Sequence, residues 1–232
     1  MIKIINLSKK FSDNTVIDKL DLIVNSGEIT ALVGKNGVGK STLIRLIAKL
    51  LKSDSGEIKT EPGAKIGVLL GGDVSLYENL TAFEIINYFG ELHGMDSVSI
   101  KERIDVLDDI LNFKSFINER ASTFSRGMKQ KIAIVVSIIH NPDILLLDEP
   151  STGLDIEASN DVIKFIKYLK SQKKTILIAT HNIFEISDLS DSIAFIKNGK
   201  IQRKIKTEDF FKNCPQDEKY AHILSLMKGE DE

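Results

Sequence analysis

The sequence predicts an α/β domain with a mostly parallel sheet core, an antiparallel β-rich N-terminal part and a helical insert at about residues 74–124. Three observations predict it. Short apolar runs at 29–33, 143–147 and 174–179 have the look of strands buried on both faces. From residue 125 onward such runs alternate with segments of helical period, the pattern of parallel strands joined by covering helices. A glycine-rich loop at 34–42 stands between the run 29–33 and an amphipathic segment at 43–51, which is the strand, loop, helix order of a phosphate-binding P-loop.

Each element follows in turn. Alternation at 2–7, then runs at 20–24 and 28–33, predict short strands separated by the polar turns Ser12-Asp13-Asn14 and Asn25-Ser26-Gly27. Thr81-x-x-Glu84 is a capping box, and Ile85, Tyr88, Phe89 and Leu92 follow at helical spacing until Gly94 stops the helix. A second box, Ser99-x-x-Glu102, opens a helical run to about Asn112. Beyond the insert, helices are expected near 125–140, 156–170 and 182–189, with strands at 143–147 and 174–179. Residues 192–196 and 200–205 flank Asn198-Gly199 and read as a hairpin. The polar stretch 206–232 ends in acid and reads as one or two short helices and a frayed tail, an extension to a domain of residues 1–205. Neither an internal repeat nor a low-complexity linker is evident.

A chain of 232 residues can bury one sizeable core without covalent staples. Its lone cysteine, Cys214, can form no internal bridge, which fits a reducing compartment and gives no zinc site. The 31 basic and 33 acidic residues nearly cancel, so no global field draws the chain to nucleic acid or anionic lipid. The longest apolar stretches, 132–139 and 144–147, fall well short of the roughly 20 residues a membrane span needs. Residues 1–10 lack the apolar core of a secretory signal. A cytoplasmic protein is expected, with any membrane role exercised through a partner.

The chemistry starts at Gly34-Lys35-Asn36-Gly37-Val38-Gly39-Lys40-Ser41-Thr42. Glycines at 34, 37 and 39 let successive N–H groups face one centre, and the following helix adds its positive end there. A polyphosphate fits, with Lys40 reaching the β- and γ-phosphates and the Ser41 hydroxyl holding Mg²⁺. Residues 144–149 form an apolar strand that delivers Asp148 and Glu149 at its carboxyl end, where open α/β sheets bind ligands. Asp148 is expected to help hold Mg²⁺, directly or through water, and Glu149 to polarise the water that attacks the γ-phosphorus.

Over residues 1–205 the sequence resembles the nucleotide-binding subunit of the ATP-binding-cassette (ABC) family, a P-loop NTPase. Phe124-Ser125-Arg126-Gly127-Met128 is similar to that family's LSGGQ signature, with Phe, Arg and Met as departures and with Ser125 and Gly127, the phosphate-facing positions, kept. By itself such a segment is only a helix N-cap. Ser151-Thr152-Gly153-Leu154-Asp155 resembles the loop that crosses between subunits. His181, alone a capping or core histidine, takes by the resemblance the place of the residue that contacts the γ-phosphate. Phe11 stands where the family has its adenine-stacking aromatic, or else is an ordinary core residue. The family's Gln after the strand at 66–70 is missing; Gly71-Gly72-Asp73 stands there, leaving Asp73 or water held by the Gly-Gly backbone as replacements.

The resemblance implies an ATPase using ATP and Mg²⁺, with Lys40, Glu149 and His181 catalytic, Asp148 and Ser41 on the metal, and Ser125 and Gly127 sealing the ATP of a second copy in a head-to-tail dimer. Residues 76–81 and 88–95 are similar to ATPase subunits of efflux systems with separate polytopic permeases, and residues 77–88 would line the docking groove. Two other classes compete with this reading. A non-transport ABC ATPase would bring a long coiled coil or a second cassette, and neither is evident; a regulatory module without turnover is disfavoured by the retained Lys40, Asp148, Glu149 and His181.

Overall fold

The computed structural model describes residues 1–71, 76–183 and 185–212. Two sheets pack against each other. The first is antiparallel, with β1 (Ile2–Phe11) between β2 (Asn14–Val24) and β4 (Ser55–Thr60). The second has six strands in the order β5 (Ile66–Leu69), β6 (Ile144–Asp148), β7 (Thr175–Ala179), β3 (Ile29–Val33), β8 (Ser192–Lys197), β9 (Lys200–Lys206). All its pairings are parallel except β8 with β9.

Strict alternation along the central strands divides the core in two. Ala31, Val33, Leu145, Leu147, Ile176 and Ile178 face a layer of helices: α2 (Ala82–Leu92), α3 (Ser97–Leu111), α4 (Arg126–Ile138) and α5 (Ile156–Ser171). Leu32, Leu146, Leu177 and Ala179 face α1 (Lys40–Ile47) and the antiparallel sheet. Both faces are dry, so nearly all of the central residues are apolar whichever way they point, Thr30, Asp148 and Thr175 being the exceptions, which explains why the strands read as apolar runs. Each fully buried Leu or Ile contributes about 1.5–3 kcal/mol of transfer free energy.

The insert closes on itself. Thr81 caps α2 in a complete capping box with Glu84, and a bridge from Thr81 to Arg120 joins its two ends. Gly90 allows α2 to lie close to α3, since a Cβ there would sit 2.6 Å from Ile100 Cδ1. Two 3₁₀ turns, Lys114–Phe116 and Ala121–Thr123, lead into α4.

Several expectations change. The second helix of the insert starts at Ser97, capped by Asp96, whose carboxylate accepts the Ser99 N–H at 2.8 Å; the Ser99-x-x-Glu102 box lies inside it. A carboxylate three residues earlier outcompetes the serine as cap. Strand β4 was not expected, because Ser55-Gly56-Glu57-Ile58-Lys59-Thr60 is mostly polar and exposed and pairs only with β1. Helix α1 ends at Ile47 rather than near 51, with Lys49 in the left-handed region at φ 59°. The helix expected near 182–189 is present over Glu185–Leu189, as one short π turn in place of α-helix. The hairpin is as expected: Asn198 and Gly199, at φ 51° and 74°, turn β8 into β9. Its tip docks on β2, where the Asp18 N–H donates to Gly199 O at 3.0 Å. Helix α6 (Thr207–Phe211) then lays Phe210 against Phe195 in the main core. Cys214 and the expected tail lie outside the described residues.

Candidate functional site

Strands β6, β7 and β3 are neighbours and parallel, so their carboxyl ends open on one spot. Strand β3 enters the loop at Gly34, where a Cβ would stand 2.5 Å from Ile196 O, a separation no side chain permits. Gly37 and Gly39 take φ of 78° and 109°, which L side chains rarely adopt. Helix α1 begins at Lys40 with Gly39 as its N-cap and with no side chain capping the first turn. Its orphan N–H groups and dipole thus make an anion site.

Lys40 is 6% exposed, and its Nζ donates to Gly34 O at 2.8 Å and Lys35 O at 3.1 Å, folding back over the loop it closes. Burial pushes this ammonium below its ordinary range, opposed by the nearby charges of Glu149 and Asp148. A cavity of about 420 Å³ lies between them, lined by Asn36, Gly37, Gly39, Lys40, Ser41 and Thr42 on one side and Asp148 and Glu149 on the other. That volume falls in the range of small-ligand sites.

Asp148, the last residue of β6, is 4% exposed, and its Oδ1 has no hydrogen-bond partner among the described residues. An orphaned buried carboxylate oxygen is costly. An oxygen-seeking divalent cation would satisfy it, with the Ser41 hydroxyl on the facing wall, so this donor set fits Mg²⁺. Glu149 sits in the left-handed region at φ 49°, anchored by its N–H donating to Ala179 O at 2.8 Å. Such strain is expected where a site needs it. Its Oε2 accepts from Thr152 Oγ1 at 3.0 Å, and its Oε1 lies 3.5 Å from His181 Nδ1. His181 follows β7 through the buried Thr180.

Other expected residues stand apart. Ser125 caps α4, its Oγ accepting the Met128 N–H at 3.2 Å, and neither it nor Gly127 lines the cavity. Gly127 faces Ala158, whose Cβ would be 3.3 Å from an added Cβ. Arg126, where the family pattern has glycine, donates from Nη2 to Thr152 O at 3.2 Å and covers Gly153, tying this helix start to the loop at 151–155. Phe11 is 45% exposed at the end of β1, with Lys9 Nζ 5.5 Å from its ring centroid; it is not a core residue, and it does not line the cavity. Gly71 backs Asp148, while Asp73 lies outside the described residues. Sequence reasoning missed Thr152 as a partner of Glu149, Gln130, whose Nε2 donates to Pro150 O at 2.6 Å, and the wholly buried Glu185. Only the last left a signal, an acid between Phe184 and Ile186.

A larger groove, about 1020 Å³, lies at the opposite end of the sheet. Its charges already neutralise one another: Lys204 pairs with Glu28 at 2.6 Å and Lys170 with Asp191 at 2.7 Å. It is therefore the weaker candidate despite its size.

Comparison with known proteins agrees with this geometry. The family model described as ABC transporter matches residues 17–152. The chain is 37% identical to the ABC transporter ATP-binding protein NatA of Bacillus subtilis, across 99% of both chains. It is 34% identical to the Nod factor export ATP-binding protein I of Sinorhizobium fredii, across 86% of this chain and 61% of the relative. Among solved structures, an ATP-binding subunit of an ABC transporter superposes with a TM-score of 0.85 at 26% identity, over 97% of this chain and 99% of that one. A dimeric ATP-binding cassette in a post-hydrolysis state, bound to ADP and Pi, superposes with a TM-score of 0.78 at 25% identity, over 89% and 99%. With the P-loop, the two acids and the histidine converging in a fold of this kind, the chain belongs to the ABC transporter family, as an ATP-binding subunit with ATPase chemistry.

Proposed function

We propose that this chain powers export through a separate polytopic membrane permease, hydrolysing ATP between two copies of itself. The observation that carries the reading is the meeting of Lys40, Asp148 and Glu149 around one cavity with His181 3.5 Å from Glu149. Residues 1–205 act as the ATPase unit, with the helical insert at 74–124 as its coupling part and 206–232 as an extension.

The γ-phosphate lies against the loop N–H groups of 34–42 and the Lys40 ammonium. Glu149 orients and takes the proton of the attacking water; the water oxygen bonds to the γ-phosphorus as the bond to the β,γ-bridging oxygen breaks, leaving ADP and phosphate. His181, held beside Glu149, contacts the γ-phosphate. Ser41 and Asp148 would hold Mg²⁺, which when bound supplies charge neutralisation on the phosphates. Phe11 offers a ring face for adenine at the exposed tip of β1. Ser125 and Gly127 present the uncovered start of α4 to the ATP of the second copy, and closure excludes water from the charged contacts. The dimeric relative bound to ADP and Pi supports this arrangement.

Export is supported by the name of the Nod factor relative. No described helix is long and apolar enough to cross a membrane, and on this reading the membrane path belongs to another protein. A surface for it is at hand: Tyr77 ahead of α2 and Phe83 and Tyr88 on it are 54%, 43% and 47% exposed, and Tyr77 and Tyr88 meet edge to face at 5.9 Å. The chain then works on the cytoplasmic face of the membrane.

The test is Glu149→Gln. Turnover should fall about 100-fold or more, as expected for loss of a general base, while an ATP-bound dimer accumulates on size exclusion. Hydrolysis at the normal rate would remove Glu149 from this role. For export, the intact chain should co-purify with a polytopic permease that stimulates its ATPase; a chain whose turnover ignores every membrane partner it binds contradicts the coupling.

A further inference from the structure

Glu185 is fully buried, beside the hydrolytic centre, and has no part in the mechanism above. It lies on the π turn that follows His181. Its carboxyl stands against the hydroxyls of Ser151 and Thr180 and within electrostatic reach of Glu149 and His181. Neither of its oxygens closes a hydrogen bond of good geometry among the described residues. Burial pushes this carboxyl above the usual range, the charge of Glu149 adds to the push, and the two hydroxyls and His181 oppose it. A carboxyl in this place can accept from both hydroxyls, and can donate to them when protonated.

Its neighbours are arranged to use that. Asn182 spans them: its N–H donates to Thr180 Oγ1 at 3.0 Å and its Nδ2 to Ser151 Oγ at 3.2 Å. Both hydroxyls thus have one lone pair taken from above, with a proton and a second lone pair to share with the carboxyl beneath. Ser151 belongs to the loop that follows Glu149, whose Oε2 is held by Thr152 of that loop at 3.0 Å. Thr180 immediately precedes His181. Ser151 and Thr180 are themselves buried, at 8% and 3% exposure, so no solvent competes for these contacts.

We propose that Glu185 is a positioning residue of ATP hydrolysis: through Ser151 and Thr180 it binds the loop behind Glu149 to the turn carrying His181, holding the two side chains in register. A buried polar network of this kind specifies geometry when all of its members are satisfied. This inference rests on the reading that Glu149 and His181 act at the γ-phosphate. It concerns kcat and not ATP binding, because Glu185 is fully buried and does not line the cavity bounded by the loop at 34–42.

The experiment uses the full-length chain, with steady-state ATPase kinetics, nucleotide affinity from fluorescent-ATP titration and thermal melting. Glu185→Ala should lower kcat at least tenfold with KM for ATP within twofold of normal, and should still form the ATP-dependent dimer. Glu185→Gln, which presents one donor and one acceptor in the same shape, should restore most of that loss. Wild-type turnover in a folded Glu185→Ala chain overturns the proposal, and so does a Gln variant as slow as Ala, which would mean that charge is required instead of bridging. If Glu185→Ala does not fold, Ser151→Ala carries the test. It should slow turnover several-fold with KM for ATP within twofold of normal, and a folded Ser151→Ala chain that turns over at the wild-type rate overturns the inference. Glu149→Gln and His181→Ala are run alongside. If either hydrolyses ATP normally, the underlying reading fails whatever Glu185 does; if both are slow and Glu185→Ala is not, only the present inference fails.

Discussion

Helices α1 and α4 both start with a polar turn, yet one lines a cavity and the other does not. At α1 the N-cap is a glycine at φ 109° with no side-chain cap, and the first turn forms a wall of the cavity together with a nearly buried lysine. At α4 the cap is Ser125, whose hydroxyl already takes the Met128 N–H, and both Ser125 and Arg126 are exposed. The first site has its counter-wall, Asp148 and Glu149, in the same chain; the second has none. On the proposed reading, one is a whole phosphate cradle and the other is half of a site that a second copy completes. Charge placement carries the difference, since Lys40 is desolvated and opposed by two acids, whereas Arg126 spends its guanidinium on Thr152 O and Gly153.

The sharpest way to break this comparison is Lys40→Ala. Removing a desolvated cation that serves a phosphate should weaken ATP binding by a single chain about 100-fold or more, read by fluorescent-nucleotide titration. A normal affinity would deny α1 its role. Ser125→Ala should behave in the opposite manner: single-chain affinity unchanged, kcat about tenfold lower, and ATP-dependent dimerisation weakened on analytical ultracentrifugation. Loss of the cap should also cost about 1 kcal/mol of stability. An affinity defect in the monomer would place α4 within the first site and erase the distinction.

The smallest effect at neutral pH concerns His140, after α4, which sharpens how the insert is held. Its ring stacks on His93 of the insert at 3.8 Å, and its Nε2 hydrogen-bonds Ile66 O at 3.2 Å. Burial, and then the neighbouring His93, pushes His140 from 6.5 down to about 4. The folded state therefore binds a proton less readily than the unfolded one, so the stability this histidine contributes is complete above about 6.5 and is lost as pH falls toward about 4. The loss should amount to about 3 kcal/mol at most. His140→Phe keeps the stack and should flatten the melting curve across that window while leaving it little changed at pH 7; an unaltered acid slope would move the cause elsewhere.

Much of the fold was legible because its signals are local. Residues 29–33 and 144–147 read as buried strands because both faces of the central sheet are dry, and Thr81-x-x-Glu84 and Asn198-Gly199 carry their own turn chemistry. Where two local signals competed, reading failed: Asp96 and Ser99 are both capable caps, and the earlier one prevailed. Strand β4 was invisible because its partner, β1, and not its own pattern, makes it a strand. The exposed Phe11 shows that an apolar residue at a strand end need not be core.

By itself the sequence determined the phosphate loop, since glycine spacing, lysine and helix start are all consecutive and their physics is that of one turn of chain. It also determined that Asp148 and Glu149 end an apolar strand. Only tertiary structure decided that these acids face Lys40, that His181 comes to lie 3.5 Å from Glu149, and that Glu185 is sealed beneath them. The reason is the strand order β6, β7, β3, which is set by packing between segments as distant in sequence as Ala31 and Ile178 and brings their carboxyl ends together without leaving a trace in any single stretch of sequence.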